Sequence, residues 1–405
     1  MESKQALAGI KVVDFSWYAV GPQTARHLAD HGAEVIRVES STSMDALRLG
    51  GPFKDDISGL NRSGYFNNQN PNKYGITLNL KLPQAVEIAR KLVARADVIV
   101  ESFTGGVMER FGLAYDDLKK IKPDIIMVSA SAQGRDGPHS DHSCFGHVIQ
   151  ALCGVNHLSG WPDGYPVGAY GPYTDYFVPH MVTAALLAAL AYRRRTGRGQ
   201  YIDLSQFEAG IHCLETAILD YTVNGREQNR MGNRHPQASP HGVYRCRGED
   251  RWCTIAVLTD NEWQNFCRVV GDPQWCRNSK FASLAGRLDN ADELDRLVEQ
   301  WTLNYQAEQV MKMMQSAGVA AGVVQTSQDL HADPQLKHRN HYWVLNHPET
   351  GPATYDSPAY KLSKTPGQPR MPAPCIGEHN MFVCTELLGM SDDEFVGLMA
   401  EGIFE

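Results

Sequence analysis

The sequence predicts an α/β protein in which a large, doubly wound and mostly parallel sheet is joined to a small α+β domain. Short apolar segments alternate with helical patterns through the first half of the 405-residue chain. This alternation is typical of a parallel sheet that is covered by helices on both faces. The composition changes near residue 224, where a polar segment and a β-hairpin pattern begin. We therefore expect a large Rossmann-like domain over residues 1–224, a small α+β domain over 225–325 and a segment over 326–405 that returns to the large domain.

Composition and charge argue against several classes of protein. A net charge of −8 provides no general attraction for nucleic acid or for an anionic membrane. The longest apolar run, Met181–Tyr192, is too short to cross a bilayer and predicts a buried helix, and Met1–Gln5 lacks the apolar core of a leader. The nine cysteines form no C-x-x-C pair. We expect a cytoplasmic protein without a metal, a membrane partner or a nucleic-acid partner.

The N-terminal segment has the order strand, turn, helix, strand. Ile10–Phe15 and Val35–Val38 are the predicted strands, and Pro22 and Gly32 mark the two ends of the helix between them. This order imitates a dinucleotide-binding unit. The turn FSWYAVGP, however, has one glycine in place of G-x-G-x-x-G, so a nicotinamide site is not expected.

Further buried strands follow along the large domain. We predict them at Ile76–Leu80, Asp97–Glu101, Ile125–Ser129 and Tyr201–Leu204. The strand that ends at Glu101 continues into a Gly-rich turn and a helix. Such a unit presents backbone N–H groups at the carboxyl edge of a parallel sheet, where anions bind.

A single acid, Asp175, lies in the Gly/Pro/aromatic turn that precedes an apolar helix predicted over Val178–Tyr192. An aspartate at this place is most often a cap or a first-turn residue. A carboxylate just ahead of a helix also meets backbone N–H groups that are suited to holding an oxyanion. This stretch alone leaves both roles open.

The small domain begins with a polar segment, Asn224–Pro240, which we expect to be a linker or a mobile loop. A hairpin is predicted from Gly242–Cys246 and Trp252–Val257. Helices at about 261–270, 290–305 and 306–316 follow, and a short strand over 317–324 leads out of the domain.

Five separated motifs resemble, in the same order, those of the family III CoA-transferases (CaiB/BaiF type), the group that contains the formyl-CoA, carnitine and benzylsuccinate CoA-transferases. The motifs are L-x-G-x-x-V-x-D from Leu7, the Asn70–Lys81 segment, E-S-F-T-G-G-V from Glu101, Asp175 with its helix and TGRGQ, and A-P-x-x-G-E-H from Ala373. The resemblance implies a transfer of CoA from an acyl-CoA to a small free carboxylic acid. It also implies that CoA thioesters are substrates and that no cofactor is permanently bound.

The resemblance also implies the residues of the site. Asp175 would be the nucleophile, and Phe145, Gly232 and Gly242 would lie beside the acyl group, the two glycines in a loop that closes over it. Cationic side chains among the CoA contacts suit phosphate groups. The implied CoA contacts are Tyr18, Ala19, Val20, Lys73, Leu78, Lys81, Ser102, Phe103, Thr104 and Arg110.

The mechanism that the resemblance implies passes through an aspartyl anhydride and then an aspartyl-CoA thioester. Aromatic residues near the implied site, among them Trp17, Tyr18 and Tyr173, provide more surface than a formyl group needs. We therefore expect succinyl-CoA as donor and an aromatic or branched dicarboxylate, such as a benzylsuccinate-like acid, as acceptor.

Two alternatives remain from the sequence. An acyl-CoA racemase of the same fold needs a His-Asp pair, but Phe145 and Gly146 occupy those positions and His147 is out of register. A CoA-binding subunit could serve a catalytic paralogue. The family assembles as an interlocked dimer, so we expect a homodimer, or a heterodimer or heterotetramer with a paralogous subunit.

Overall fold

Six parallel strands organise the larger part of the chain. The computed structural model describes residues 5–405, so residues 1–4, which belong to the segment predicted to lack a leader, lie outside the described residues. The strands are β1 (Lys11–Asp14), β2 (Glu34–Glu39), β3 (Tyr74–Thr77), β4 (Val98–Glu101), β5 (Ile126–Ser131) and β6 (Tyr201–Ser205). Their order in the sheet is β3-β2-β1-β4-β5-β6.

Helices cover both faces of this sheet. Val13, opposite Ile99 in the β1–β4 register, belongs to one apolar cluster, whereas Val12 and Val98 belong to another. Successive side chains of a strand point to opposite faces, so both faces are buried, as a parallel sheet requires. The doubly wound α/β class predicted from the sequence is confirmed. The helices up to residue 224 are α1 (Val20–Asp30), α2 (Ala46–Leu49), α3 (Gly64–Gln69), α4 (Pro83–Arg95), α5 (Val107–Arg110), α6 (Tyr115–Ile121), α7 (Gly146–Leu152), α8 (Val155–Leu158), α9 (Tyr173–Thr196), α10 (Gln206–Ile211) and α11 (Glu215–Asn224).

The chain divides into two compact units. Among the described residues, the first comprises 5–155, 168–225 and 336–405, and the second comprises 156–167 and 226–335. The second unit contains an antiparallel sheet of β7 (His241–Arg245), β8 (Trp252–Ala256) and β9 (Ala320–Val323), in that order. Its core is rich in aromatic residues, including Trp263, Phe266 and Phe281. This is the small α+β architecture that the sequence predicts.

The remaining elements lie after β8. The helices from residue 260 onward are α12 (Asp260–Val269), α13 (Leu284–Asp289), α14 (Ala291–Thr302), α15 (Ala307–Ser316), α16 (Ser327–Ala332), α17 (Pro334–His338), α18 (Asn380–Phe382) and α19 (Asp392–Ala400). A hairpin of β10 (Tyr342–His347) and β11 (Gly351–Asp356) belongs to the first unit.

Helix α9 differs from its prediction in two ways. It begins at Tyr173, five residues earlier than expected, so that Asp175 lies inside its first turn rather than ahead of it. It is also the one described helix whose length and composition would let it cross a membrane, features that it shares with core helices of soluble proteins. Only 33% of its most apolar 18-residue stretch is buried within this chain. The predicted buried helix is therefore largely exposed in the single chain.

Candidate active site

A cavity lies at the carboxyl edge of the parallel sheet, where the strand order reverses between β1 and β4. Loops that follow the two strands diverge at such a point and leave a crevice, the usual place for a ligand in this class of fold. The cavity measures about 340 Å³. Its lining consists of Trp17, Tyr18, Ala19, Val20, Ser102, Phe103, Thr104, Ser131, Ala132, Ser140, His142, Ser143, Cys144, Phe145, Gly146, Ile149, Asp175 and Gln206.

Asp175 contributes the carboxylate of this cavity. The first residue of α7, Gly146, packs against it: a Cβ atom on Gly146 would lie 2.7 Å from Asp175 Oδ1 and 2.4 Å from the Cβ atom of Pro172. Only glycine permits this close approach. Burial raises the pKa of Asp175 to about 7 because it disfavours the charged carboxylate. Asp175 is therefore a carboxyl group that changes its charge near neutral pH.

The turn after β1 is held in an uncommon conformation. Tyr18 has a φ of 61°, in the left-handed region that residues other than glycine rarely adopt. Its backbone N–H donates to both carboxylate oxygens of Asp45, at 3.2 and 3.3 Å, and Asp45 pairs with the buried Arg37 at 2.6 Å. The Tyr18 ring meets Phe145 edge to face, with centroids 5.2 Å apart. A buried ion pair thus fixes the backbone of one wall of the cavity.

The loops after β1 and β4 are tied together. The Ser102 hydroxyl accepts a hydrogen bond from the Trp17 N–H at 3.0 Å and donates to the Trp17 carbonyl at 3.1 Å. The rings of Trp17 and Phe103 meet edge to face at 5.5 Å. Arg135, from the loop after β5, donates to the Phe103 carbonyl at 3.2 Å and pairs with Glu109 at 2.8 Å. Three loops therefore hold the aromatic side chains of the site in place.

A second cavity of about 290 Å³ shares Trp17 and Phe103 with the first. Leu78 and Lys81, which follow β3, line it. The two cavities together bring most of the predicted site residues to one edge of the sheet. Those on the first cavity are Tyr18, Ala19, Val20, Ser102, Phe103, Thr104, Phe145 and Asp175, and those on the second are Leu78, Phe103 and Lys81.

Arg110 lies at the end of α5 and is exposed. It lines neither cavity, although Val107 of the same helix lines the second one. Its predicted contact with CoA stays a prediction.

Lys73 requires a correction, because it is fully buried. Its Nζ atom donates to Asp14 at 3.0 Å, to Asn70 at 2.9 Å and to the Pro22 carbonyl at 2.8 Å. These bonds use all three donors of the ammonium group. Burial lowers the pKa of Lys73 to about 8, against the opposing effect of Asp14. The Lys73 ammonium group links β1, through Asp14, to α1, through the Pro22 carbonyl. It has no donor left for a CoA phosphate.

The two predicted loop glycines belong to the second unit. Gly242 requires a correction, since it lies in β7 opposite Ile255 and is not part of a loop. Gly232 lies in a turn with a φ of 59°, and its N–H donates to the Gly160 carbonyl at 2.9 Å. A Cβ atom on Gly232 would lie 2.3 Å from the Trp161 ring, so glycine is required there for packing.

Several residues of the cavity are absent from the site residues named from the sequence. Ser131 is the last residue of β5, and Ala132 and Gln206 directly follow β5 and β6, at the same edge as Asp175. The rule that ligands bind beyond the carboxyl ends of parallel strands could have found them. The Gly-rich loop that begins at Ser131 has the pattern of a site edge, but it gave no named contact. His147, the residue near the racemase register, is exposed and does not line the cavity.

The part of the chain that the structure describes contains no group of three or more acidic, histidine or cysteine side chains arranged for a metal ion. His27 and His31 form one H-x-x-x-H pattern, a spacing that suits metal ligands. In α1, however, the His27 ring stacks on His180, and Nδ1 of His31 bonds to the His27 carbonyl.

Comparison with known proteins gives concordant matches over nearly the whole chain. The family model of CoA-transferase family III matches residues 7–380. The chain is 30% identical to succinyl-CoA–D-citramalate CoA-transferase of Chloroflexus aurantiacus, over 98% of each chain. It is also 30% identical to the beta subunit of succinyl-CoA–L-malate CoA-transferase from the same organism, again over 98% of each. The crystal structure of a CaiB/BaiF family protein from Brucella suis superposes with a TM-score of 0.88 at 29% identity, covering 95% of this chain and 100% of that one.

Proposed function

The chain belongs to CoA-transferase family III, and from this premise we propose that it moves CoA from succinyl-CoA to a free dicarboxylic acid. The two Chloroflexus aurantiacus relatives support this choice, since each is named for succinyl-CoA together with a dicarboxylic acid, citramalate or malate. The single observation that carries the proposal is a buried carboxyl group, Asp175, on a cavity between the loops of β1 and β4.

The acceptor that we propose is an aromatic or branched dicarboxylate, such as a benzylsuccinate-like acid. Trp17, Tyr18, Phe103 and Phe145 line the cavity and offer apolar surface to such a side group. A volume of about 340 Å³ suits the acyl part of a CoA thioester together with a small acid.

The first chemical step that we propose is an attack of the Asp175 carboxylate on the thioester carbonyl of the donor. A C–O bond forms, the C–S bond breaks, and CoA leaves as a thiolate, which gives a mixed aspartyl anhydride. The thiolate then attacks the aspartyl carbonyl and releases the donor acid, leaving an aspartyl-CoA thioester. The acceptor carboxylate repeats the two exchanges in reverse. The thioester energy is conserved because each intermediate is an activated acyl group.

The residues around Asp175 support this chemistry in three ways. Burial keeps the carboxylate poorly solvated, which makes it a better nucleophile once it is ionised. Ala19 and Val20 stand at the start of α1 and line the cavity, and the first N–H groups of a helix have no partner within it. We propose that these groups hold the oxyanions. We further propose that Phe145 and Tyr18, which line the same cavity, restrict the access of water to the carboxylate.

We place the nucleotide part of CoA in the second cavity. Lys81 offers an exposed ammonium group there for a phosphate, and Leu78 and Phe103 offer apolar contacts. Because Trp17 and Phe103 border both cavities, the pantetheine arm would pass between them toward Asp175.

We propose a dimer, interlocked as in the resembling family, formed with a second copy or with a paralogous subunit. Helix α11 has no buried residue, and its apolar Leu219, Tyr221 and Val223 are 58%, 65% and 75% exposed. An exposed apolar helix of this kind marks an interaction surface. The relative that is a beta subunit supports keeping the paralogous partner as an alternative. The cytoplasmic location likewise stays a proposal.

The test is a screen of carboxylic acids with succinyl-CoA, in which new CoA esters are detected by mass spectrometry. The proposal expects an ester of at least one dicarboxylate with the wild type and none with Asp175→Asn. Exchange of the α-proton in D₂O without CoA transfer would instead identify a racemase. Transfer that persists in Asp175→Asn together with a partner chain would identify a CoA-binding subunit.

A further inference from the structure

The cavity around Asp175 contains very little positive charge. Of the described residues that line it, none is a lysine or an arginine, and His142 is the one basic side chain. The remaining polar lining consists of hydroxyl, thiol and amide groups. Asp175 is the one acidic residue among the described lining residues, so its ionisation gives the lining a negative charge.

This shortage of charge matters for a dicarboxylic substrate. A succinyl group carries a second carboxylate that does not react and that enters the cavity with the acyl chain. A carboxylate taken from water into a partly buried site loses solvation, and charge-assisted hydrogen bonds must replace it. A monocarboxylic acyl group makes no such demand.

His142 lines the cavity and is a possible hydrogen-bond donor to this carboxylate. It lies in the loop between β5 and α7, and Ser140 and Ser143 of the same loop also line the cavity. The neighbouring Asp141 has a side chain that is 88% exposed, with its Oδ1 atom 3.8 Å from Nε2 of His142. The His142 ring stacks on His139 at 4.8 Å. The His142 side chain keeps 57% of its surface exposed, so it is accessible to a ligand that enters the cavity.

We propose that His142 binds the unreactive carboxylate of dicarboxylic substrates, both the succinyl group of the donor and the acceptor acid, with the Ser143 hydroxyl as an additional donor, since the Ser140 hydroxyl already donates to the Gly137 carbonyl at 3.1 Å. This inference rests on the proposed function and deepens it, because it names the group that selects dicarboxylic over monocarboxylic acyl groups. His142 is a binding residue in this scheme and takes no part in bond making at Asp175.

The test compares the binding of succinyl-CoA and butyryl-CoA, which differ only in the terminal carboxylate or methyl group. Calorimetry is carried out on the Asp175→Asn protein so that no transfer occurs during the measurement. The background protein should bind succinyl-CoA about tenfold or more tightly than butyryl-CoA, as expected for a charge-assisted hydrogen bond. Adding His142→Asn should remove this preference by weakening succinyl-CoA binding alone.

The matched control is His147→Asn in the same background. His147 is an exposed histidine five residues away that does not line the cavity, so the preference should be retained. An unchanged preference in the His142→Asn protein, or no preference in the background protein, would overturn the inference while both esters still bind. If neither ester bound, the proposed function itself would fall, and the inference with it.

Discussion

At the scale of single residues, burial alone accounts for the raised pKa of Asp175, and no charged neighbour contributes to the shift. Its pKa is raised to about 7, whereas an ordinary aspartate titrates near 3.8. The proposed nucleophile is the ionised form. Protonation below pH 7 therefore removes activity, and rising pH restores it.

The corresponding prediction concerns the pH dependence of kcat/KM for succinyl-CoA. It should rise with pH through about 7 and level off above, because this quantity reports groups of the free enzyme. Initial rates of ester formation between pH 5 and 9 measure it. A profile that levels off already above pH 5 would show that Asp175 has an ordinary pKa or is not the nucleophile. Asp136→Asn, an exposed acid in the loop after β5, should keep the wild-type profile.

Substitution of Lys73 should change the stability of the protein, whereas substitution of Lys81 should change its binding of succinyl-CoA. Lys73→Ala leaves the buried Asp14 without its closest cationic partner, so we expect a loss of about 3–5 kcal/mol in the free energy of unfolding. Lys81→Ala removes an exposed charge and should raise the KM for succinyl-CoA about threefold without changing that free energy. Urea unfolding and steady-state kinetics measure the two effects. The reverse pattern would restore Lys73 as a CoA contact.

Sequence motifs indicate which residues to expect near the site, but they do not show how each one is buried or bonded. Lys73 matches a family motif, yet its role depends on Asp14, which lies 59 positions earlier in the chain. Such a long-range pair has no local signal. From the sequence, Gly146 was noted only because it occupies a position where a racemase carries its His-Asp pair. Its contact with Asp175 arises from packing between α7 and α9, which has no local sequence signal.

At the scale of elements, the start of α7 against the first turn of α9 sets the position of the carboxylate. Gly146→Ala would place a methyl group within 2.7 Å of Asp175 Oδ1, so one of the two helices must move. We expect kcat to fall about 100-fold, since misplacement of a nucleophile by about 1 Å has effects of this size. Kinetics and thermal unfolding check it.

The control for this substitution is Gly397→Ala, in α19. A Cβ atom there would meet nothing within 4 Å, so activity should be unchanged. Full activity of Gly146→Ala would contradict the arrangement of Asp175 described above.

The strands of the large sheet could be predicted from apolar runs because all of them except the partly exposed edge strand β6 are largely buried, and the observed bounds differ by only a few residues. The start of α9 could not, since Pro172 and Tyr173 form a turn-like pattern that the structure uses as a helix N-terminus. Gly242 was predicted both as the first residue of a hairpin strand, from its local pattern, and as a loop residue, from the family resemblance; the structure has the strand. Residues 156–167 group with the second unit through contacts that leave no pattern in the sequence.

At the scale of the whole molecule, exposed apolar helices argue for an assembly larger than one chain. We predict a solution mass of twice 44.9 kDa, measured by sedimentation at equilibrium. Leu219→Glu in α11 should produce a monomer or an aggregate, because it places a charge in the proposed interface. Leu49→Glu, a leucine of equal exposure on the short α2, should remain a dimer. A wild-type monomer with full activity would contradict the proposed assembly.

The central claim is that Asp175 carries the acyl group covalently, and trapping of the intermediate tests it most directly. The protein is incubated with succinyl-CoA and hydroxylamine, and its peptides are then analysed by mass spectrometry. We expect a hydroxamate on the peptide that contains Asp175, which requires succinyl-CoA and is absent from Asp175→Asn. No hydroxamate on that peptide with several acyl-CoA donors, in a preparation that transfers CoA, would contradict the covalent mechanism.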